Sequence, residues 1–272
     1  MAIKMMCIAP HGDIIIPERR WYNQGQTVVT AQSLLKLRDL AREKEIDHFI
    51  VVDPHGHIVP GFCYLYDGES YRGTLKRRSV VDKSACSSLY YPHTQINEKL
   101  RAINHPKLHN KHNHCKAQCD LTWGSYVPLY MIAHQQTVSV ITVDPKMDRS
   151  EIAEISNKIY EAMHKDERNI GIIFSADMSH AWSNSHSQFP YHANSKVYDD
   201  HVMDIVTNNR IEDYRDNDDI VRTASTCAHG PLTMLSEICK NIKYQSKLLS
   251  HEVPSYFGML VASIEPDIDI FE

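Results

Sequence analysis

Three histidines follow predicted strands in this sequence, and their positions suit metal binding or acid–base chemistry. His11 stands in APHGD after the run Ile3 to Ala9, and His55 stands in DPHGH after HFIVV. His180 ends NIGIIFSADMSH. Imidazole is the commonest metal ligand in proteins and titrates near neutral pH. The chain has 17 histidines among 272 residues, which strengthens the case for a histidine-based site.

The two Pro-His-Gly sequences predict similar turns. Proline ends a strand because it has no N–H for the ladder, and glycine permits a sharp turn. The histidine between them is projected from the strand end with little freedom, as a metal ligand requires. One such turn alone is more simply explained as an incidental strand end. Two at equivalent positions favour a shared metal site.

Two further motifs carry candidate site residues. CDLTWGSYVPLYMI predicts a turn entering an apolar helix, and STCAHGPLTMLSEI places Cys227 and His229 just before Pro231. Proline suits the first turn of a helix, so these side chains should lie near a helix N-terminus. That position lowers the pKa of a thiol and favours the thiolate, which is the ligand form.

The elements that position these residues alternate between strand and helix. Thr30 is a candidate N-cap for AQSLLKLRDLAREKEI, and Asp148 is one for RSEIAEISNKIYEAMHKDE. Strands are predicted at Ile3–Ala9, HFIVV, QQTVSVITVD, NIGIIFS and SYFGMLVASI. This pattern indicates one α/β domain over residues 1–272, with a central, mostly parallel or mixed sheet flanked by helices. Ligands of such sheets bind at the carboxyl ends of the strands.

Composition excludes several functional classes. The net charge of -5 and the lack of clustered Lys and Arg argue against a nucleic-acid partner. No apolar run approaches the roughly 18 to 20 residues that a membrane span needs. The seven scattered cysteines show no paired framework, so we expect free thiols and a cytoplasmic protein. We also expect a homo-oligomer.

One irregular segment, HPKLHNKHNHCKAQC at residues 105–119, is a weaker candidate metal site. It offers His109, His112, His114, Cys115 and Cys119. Their spacing fits no standard zinc pattern because the paired elements are missing. A solvated loop is the simpler interpretation, with a subunit contact or an active-site lid as the alternatives.

The order of the motifs resembles that of the class III extradiol ring-cleavage dioxygenases. Two PHG turns are followed by WGS-x-VPL, by S-x-D-x-SH and by HGPL-x-ML, from about residue 3 to residue 264. This superfamily also includes the DOPA dioxygenases and the Memo proteins. The resemblance implies a single α/β domain that binds non-haem Fe(II) and opens catechol-type rings with O2.

The resemblance also implies roles for particular residues. His11 and His55 correspond to the first two metal ligands, and His180 to the acid–base histidine. The third ligand varies in the superfamily, and Cys227 and His229 both remain open, with Glu237 further along the chain. Many members have Asp-His-Gly where this chain has Thr122-Trp123-Gly124, and their histidine helps to bind substrate and oxygen.

Other side chains are expected to support these roles. Asp177 and Ser179 would set the tautomer or position of His180, and Trp123, Tyr126 and Trp182 are candidates for an aromatic pocket wall. The expected partners are a small aromatic substrate and O2. The expected metal is Fe(II), with zinc as the alternative.

Three functions are compatible with these residues. The first is an extradiol-type dioxygenase acting on a catechol- or aminophenol-like ring. The second is a Memo-like metal-binding or redox protein without oxygenase activity. The third is a zinc hydrolase with His180 as base. A histidine or carboxylate as third ligand favours the first function, and a cysteine favours the second.

Overall fold

The computed structural model describes residues 1–22, 26–57, 59–75, 86–109, 117–215 and 218–267. The strands in these residues are β1 (Ile3–Ala9), β2 (His48–Asp53), β3 (Cys63–Leu65), β4 (Ser70–Leu75), β5 (Cys86–Tyr90), β6 (Leu108–His109), β7 (Gln118–Leu121), β8 (Thr137–Val143), β9 (Ile170–Ser175), β10 (Tyr244–Glu252) and β11 (Met259–Pro266). The α-helices are α1 (Val28–Glu43), α2 (Thr94–Arg101), α3 (Trp123–Ile132), α4 (Arg149–Met163), α5 (Asn194–Thr207), α6 (Asp218–Ala224) and α7 (His229–Cys239). None of these helices is both long and apolar enough to cross a membrane.

Eight strands form one mixed sheet in the order β10-β11-β1-β9-β2-β8-β3-β6. The four central strands β1, β9, β2 and β8 run parallel to one another. Antiparallel pairs flank them, with β11 beside β1 and β3 beside β8. The prediction of an α/β fold with a central sheet flanked by helices is therefore confirmed.

Side chains of the central strands alternate between two apolar layers, because successive residues of a strand point to opposite faces. Ile8 of β1 and Val52 of β2 pack in the layer that contains helices α4, α5 and α7. Cys7 and Val51 pack in the opposite layer, with α1 and α3. Both faces are buried, which explains why the sequences of these strands are nearly continuous apolar runs.

A second sheet of three strands, in the order β5-β4-β7, packs against α3. A Cβ atom at Gly73 of β4 would lie 1.9 Å from Cδ2 of Tyr126, so only glycine fits there. Tyr126 is fully buried, and its hydroxyl lies 3.3 Å from Oγ of Ser88. The structure thus corrects the expected position of Tyr126, because its ring fills the contact between α3 and the second sheet instead of lining a pocket.

Helix α1 and strand β11 begin at other residues than predicted. Helix α1 begins at Val28 with Thr27 at the N-cap position. Thr30 lies inside the first turn, where its N–H and hydroxyl donate to the carboxylate of Glu252 at 2.6 and 2.5 Å. Strand β11 begins at Met259, so residues 255–258 of the predicted strand belong to the preceding loop. That loop faces the cavity described below.

Candidate metal centre and active site

The carboxyl ends of adjacent parallel strands bring the predicted histidines to one edge of the sheet. Strands β1, β9 and β2 are neighbours and run in the same direction. His11 follows β1, His55 follows β2, and Asp177 and His180 follow β9. This edge is where open parallel sheets bind their ligands.

Close packing accounts for the glycine of each Pro-His-Gly turn. A Cβ atom at Gly12 would lie 2.6 Å from Cε of Met259, and one at Gly56 would lie 2.0 Å from Cγ2 of Thr142. Neither glycine has a positive φ. The sequence suggested that glycine serves the sharp turn, but the structure shows that it serves the close approach of neighbouring side chains.

Three potential metal ligands converge at this edge. His11, His55 and Cys227 each contribute one ligand atom that lies within 4.8 Å of the other two, and no other such group occurs among the described residues. Nε2 of His11 is 3.6 Å from Sγ of Cys227. The two imidazole rings meet edge to face with a centroid distance of 4.8 Å.

A serine determines which ring nitrogen of His11 carries the hydrogen. The hydroxyl of Ser175 donates to the carbonyl oxygen of Gly124 at 2.5 Å, so it accepts a hydrogen bond from Nδ1 of His11 at 2.8 Å. A neutral imidazole has one N–H, and Nε2 of His11 therefore carries the lone pair. This lone pair lies beside the thiol of Cys227, where a metal ion would need it.

His55 is held by a carboxylate and by an aromatic ring. Its backbone N–H donates to Oδ1 of Asp53 at 2.7 Å. The other oxygen of Asp53 accepts from the hydroxyls of Thr122 and Ser125 at 2.8 and 2.5 Å. The indole of Trp123 stacks on the imidazole of His55 with a centroid distance of 5.1 Å. Asp53 thus ties the turn that carries His55 to the start of α3.

Burial controls the protonation of the candidate ligands. It lowers the pKa of His11 to about 3 and that of His55 to about 4, so both rings are neutral at pH 7 and can bind a metal ion. Burial, followed by the negative charge of Asp177, raises the pKa of the Cys227 thiol well above its usual value. The predicted lowering of this pKa is wrong, because desolvation outweighs the nearby helix N-terminus. A metal ion must displace the thiol proton to bind.

The donor set fits a divalent transition metal. The lone pair of His11 Nε2 lies 3.4 Å from Oδ2 of Asp177, and burial raises the pKa of this carboxyl group, which opposes its ionisation. A cation beside these atoms and Cys227 would stabilise all three. Two imidazoles and a thiolate suit zinc as well as iron, whereas two histidines and one carboxylate are the usual set of ferrous oxygenases.

The structure separates the alternatives for the third ligand. His229 is the first residue of α7 and is not one of the three converging residues. Glu237 lies on the same helix and pairs with Lys240 at 2.6 Å. Cys227 precedes the helix, and its thiol donates to the backbone carbonyl of Asp177 at 3.4 Å. Cys227 is therefore the third residue that the fold brings to the two histidines.

His180 lies at the same edge of the sheet, and a hydrogen bond fixes the tautomer of its ring. Its Nδ1 lies 2.8 Å from the carbonyl oxygen of Ser225, which can only accept, so Nδ1 carries the hydrogen and Nε2 the lone pair. Burial lowers the pKa of His180, which favours the neutral ring at pH 7. Ser225 therefore sets the tautomer that Asp177 was expected to set. The carboxylate of Asp177 instead accepts the backbone N–H of His11 at 2.9 Å.

A cavity of about 880 Å³ joins these groups, and the described residues that line it include His11, His55, Asp177 and His180. Much of the remaining wall is aromatic and is formed by Trp123, Phe189, Tyr256 and Phe257. The three besides Trp123 were not identified from the sequence, because Phe189 lies in an irregular loop and Tyr256 and Phe257 were assigned to the strand SYFGMLVASI. Trp182 is not among the described lining residues, and its indole N–H donates to Asp199 at 3.0 Å.

The irregular segment 105–119 is only partly described. His112, His114 and Cys115 lie outside the described residues. His109 is in β6, with its ring 4.2 Å from that of Phe62, and Cys119 is buried in β7. The interpretation of this segment as a solvated loop, with a subunit contact or an active-site lid as the alternatives, therefore remains a prediction.

Comparison with known proteins gives a family for the whole fold. Residues 6–261 match the family described as the catalytic LigB subunit of aromatic ring-opening dioxygenase. The chain belongs to this family. No curated protein matches it in sequence. The resemblance to class III extradiol dioxygenases that the motif order indicated is thus confirmed.

A solved structure shares the fold of this member of the ring-opening dioxygenase family. The crystal structure of the uncharacterized protein JW3007 from Escherichia coli K12 gives a TM-score of 0.59 and covers 96% of this chain and 99% of that chain. The two sequences are 11% identical, so the likeness concerns the fold alone.

Two positions distinguish this chain from the pattern expected of the ring-opening dioxygenase family. Trp123 stands where many members have a histidine, and its half-exposed indole stacks on His55. An indole can pack against an aromatic ring but has no lone pair for a metal ion or a proton. The second position is Cys227, where a thiol takes the place expected for a carboxylate or a third imidazole.

Proposed function

We propose that this protein opens a catechol- or aminophenol-like aromatic ring with O2, using Fe(II) held by His11, His55 and Cys227. Membership of the ring-opening dioxygenase family supports the reaction class. The observation that carries the proposal is that His180, with its tautomer fixed, shares one aromatic-lined cavity with His11 and His55, two of the three converging residues. Zinc is the alternative metal.

The proposed reaction needs no outside reductant. Both atoms of O2 enter the product, the carbon–carbon bond beside a hydroxylated ring carbon breaks, and the substrate supplies the electrons. A ferrous ion, when bound, supplies the one-electron chemistry that lets O2 react with the ring. The protein has to bind the ring, hold it against the ligand group, keep water away and move a proton.

His180 is the group that moves the proton. Its Nδ1–H is engaged by Ser225, so its Nε2 lone pair is the free base on the ring. Because burial lowers the pKa of His180, the neutral form that can accept a proton predominates at pH 7. His180 takes the proton of a ring hydroxyl and later returns one to the opening product.

The aromatic wall binds and orients the substrate ring. The ring of His180 stacks on that of Phe257 at a centroid distance of 5.8 Å, and Phe189 and Tyr256 stack nearly parallel at 5.8 Å. Trp123 closes the side next to His55. A flat aromatic substrate fits between such faces by offset or edge-to-face contact.

The test is oxygen uptake by protein loaded anaerobically with Fe(II). A panel of catechols and 2-aminophenols is offered, and we expect at least one to give stoichiometric oxygen uptake with the absorbance of an opened ring. The zinc-loaded protein is the matched control and should consume no oxygen. Iron bound at one equivalent without oxygen uptake on any member of the panel would overturn the proposal.

A second function, metal binding without oxygenase activity, is favoured by one observation. The third converging residue is a cysteine, and a histidine or carboxylate is more usual in oxygenases. This function predicts tight binding of one metal ion and no ring opening in the same experiment. A homo-oligomeric assembly stays a prediction that light scattering would test.

A further inference from the structure

A buried carboxylate outside the cavity receives four hydrogen bonds. Asp199 of α5 is fully buried. One of its oxygens accepts from the backbone N–H and the hydroxyl of Ser179 at 3.0 and 2.7 Å. The other accepts from the indole N–H of Trp182 at 3.0 Å and from Nε2 of His251 at 2.8 Å. These donors come from the segment around His180 and from strand β10.

The donors bracket His180 in the chain. Ser179 immediately precedes it, and Trp182 follows two residues later. The backbone N–H of His180 donates to the carbonyl of Ala224 at 2.8 Å, close to the Ser225 carbonyl that fixes the ring. Asp199 therefore holds both sides of the segment whose central residue is the proposed proton carrier.

The neighbouring chain leaves little room for this segment to shift. The N–H of Gly258 donates to the carbonyl of Ser179 at 2.9 Å. A Cβ atom at Gly258 would lie 2.2 Å from Oδ2 of Asp199, so the backbone passes directly over the carboxylate. Phe257, on which the ring of His180 stacks, is the adjacent residue. Asp199 thus hydrogen-bonds to the segment around His180 and lies directly beside the segment that carries Phe257.

We propose that Asp199 is a positioning residue for His180 in the ring-opening reaction. This inference rests on the proposed function. Only an ionised carboxylate accepts all four hydrogen bonds, because it has no hydrogen of its own. An asparagine side chain has one oxygen, and its amide would direct N–H groups at the donors on the other side. Asp199→Asn should therefore loosen the segment without removing any group from the cavity.

The first test compares turnover in a double-mutant cycle on the Fe(II)-loaded full chain. Asp199→Asn should lower kcat about 10- to 100-fold, as expected for a displacement near 1 Å of a reacting group, while KM changes less than about threefold. In the His180→Ala background the same substitution should change kcat less than about threefold, because the residue it acts through is gone. An equal loss in both backgrounds would overturn the inference.

A matched control separates positioning from general destabilisation. Asp166 is also a buried carboxylate, and it accepts from Lys99 at 2.7 Å and from Arg168 at 2.6 Å, away from the cavity. Asp166→Asn should lower the melting temperature but leave kcat unchanged. If it lowers kcat as much as Asp199→Asn does, the effect is one of stability and the inference fails.

The second test does not depend on catalysis. In zinc-loaded protein with isotope-labelled histidine, the NMR signals of His180 should report a single Nδ1–H tautomer. Asp199→Asn should give a mixture of tautomers. An unchanged signal would contradict the positioning role. A protein that opens no ring at all contradicts the proposed function, and the NMR result still decides the role of Asp199.

If Asp199→Asn does not fold, a milder variant tests the same inference. Trp182→Phe keeps an aromatic ring and removes only the indole N–H that donates to Asp199. We expect it to fold, to retain iron and to lower kcat about 2- to 10-fold, since one of four hydrogen bonds is lost. Wild-type kcat and an unchanged His180 signal in this variant would contradict the inference.

Discussion

The hydroxyl of Ser175 connects Nδ1 of His11 to the carbonyl oxygen of Gly124, and this chain of two hydrogen bonds fixes the tautomer of His11. The same arrangement occurs away from the cavity. Ser139 donates to Asn97 and accepts from Nε2 of His48 at 3.0 Å. The pair of Ser175 and His11 thus lies at the candidate metal centre, whereas the pair of Ser139 and His48 lies away from it.

Ser175→Ala should weaken metal binding about 10- to 100-fold, because a lost hydrogen bond to a ligating histidine frees its orientation and tautomer. Competition with a chelator measures the effect. Ser139→Ala is the control, since it removes the corresponding hydroxyl from His48 and should leave metal affinity unchanged. Equal affinities in the two variants would show that Ser175 does not support a ligand.

Cys227→Ala and His229→Ala should differ clearly in metal content. Loss of the thiol removes one of three converging donors, whereas His229 lies outside that group. We expect less than about a tenth of the metal to remain in Cys227→Ala after dialysis against a weak chelator, in line with the loss of a coordinating ligand. Full retention in both variants would point to a carboxylate ligand, with Asp177 the first to examine.

His180→Ala should leave the metal content near normal and lower turnover by about two to four orders of magnitude, the usual contribution of a positioned acid–base group. Metal analysis, melting temperature and oxygen uptake are measured on the same preparation. His105→Ala is a control at a buried histidine that pairs with Glu154 outside the cavity. If metal is lost in proportion to activity in His180→Ala, then His180 is a ligand and not a proton carrier.

The stability of the protein should fall with acidification below about pH 6.5, partly through His48. Burial lowers the pKa of His48 from 6.5 to about 3, so the unfolded chain binds a proton that the folded chain does not. The stabilising contribution is present in full above pH 6.5 and is lost as the pH falls towards 3, by at most about 1.4 kcal/mol per pH unit.

Urea unfolding of metal-free protein between pH 7 and pH 5 tests this linkage. His11 and His55 contribute with the same sign, because burial also lowers the pKa of each. In His48→Gln the slope of the unfolding free energy against pH should be smaller, because about one proton fewer is taken up on unfolding. His192→Gln, at an exposed position, is the control. An unchanged slope in His48→Gln would contradict the predicted proton uptake.

The sequence alone predicted the strands that position the histidines of the candidate metal centre. The strands before His11, His55 and His180 were recognisable because apolar runs ended in proline, glycine or polar residues. Parallel neighbours then had to bring those ends to one edge of the sheet. On that basis His11, His55 and His180 could be expected to lie together, whereas their separate roles were implied by the resemblance to the dioxygenase family.

The supporting groups could not be identified in the same way. Asp53, Ser175 and Ser225 act through contacts with distant segments, which no local pattern encodes. Tyr126 was misplaced because α3 is apolar on nearly all sides, so its sequence does not indicate which face meets the cavity. The predicted thiol pKa was wrong because a helix terminus is visible in the sequence, whereas the burial that outweighs it is not.

The distance along the chain between the members of the centre determines when it can form. His11 and Cys227 are 216 residues apart, and Ser175, which orients His11, is 164 residues from it. Such non-local contacts form late in folding, after the costly closure of long loops. A growing chain on the ribosome has the first two ligands long before it has the third. The proposed ligand set is therefore complete only after most of the chain has been made, and we expect metal binding to follow folding instead of directing its early stages.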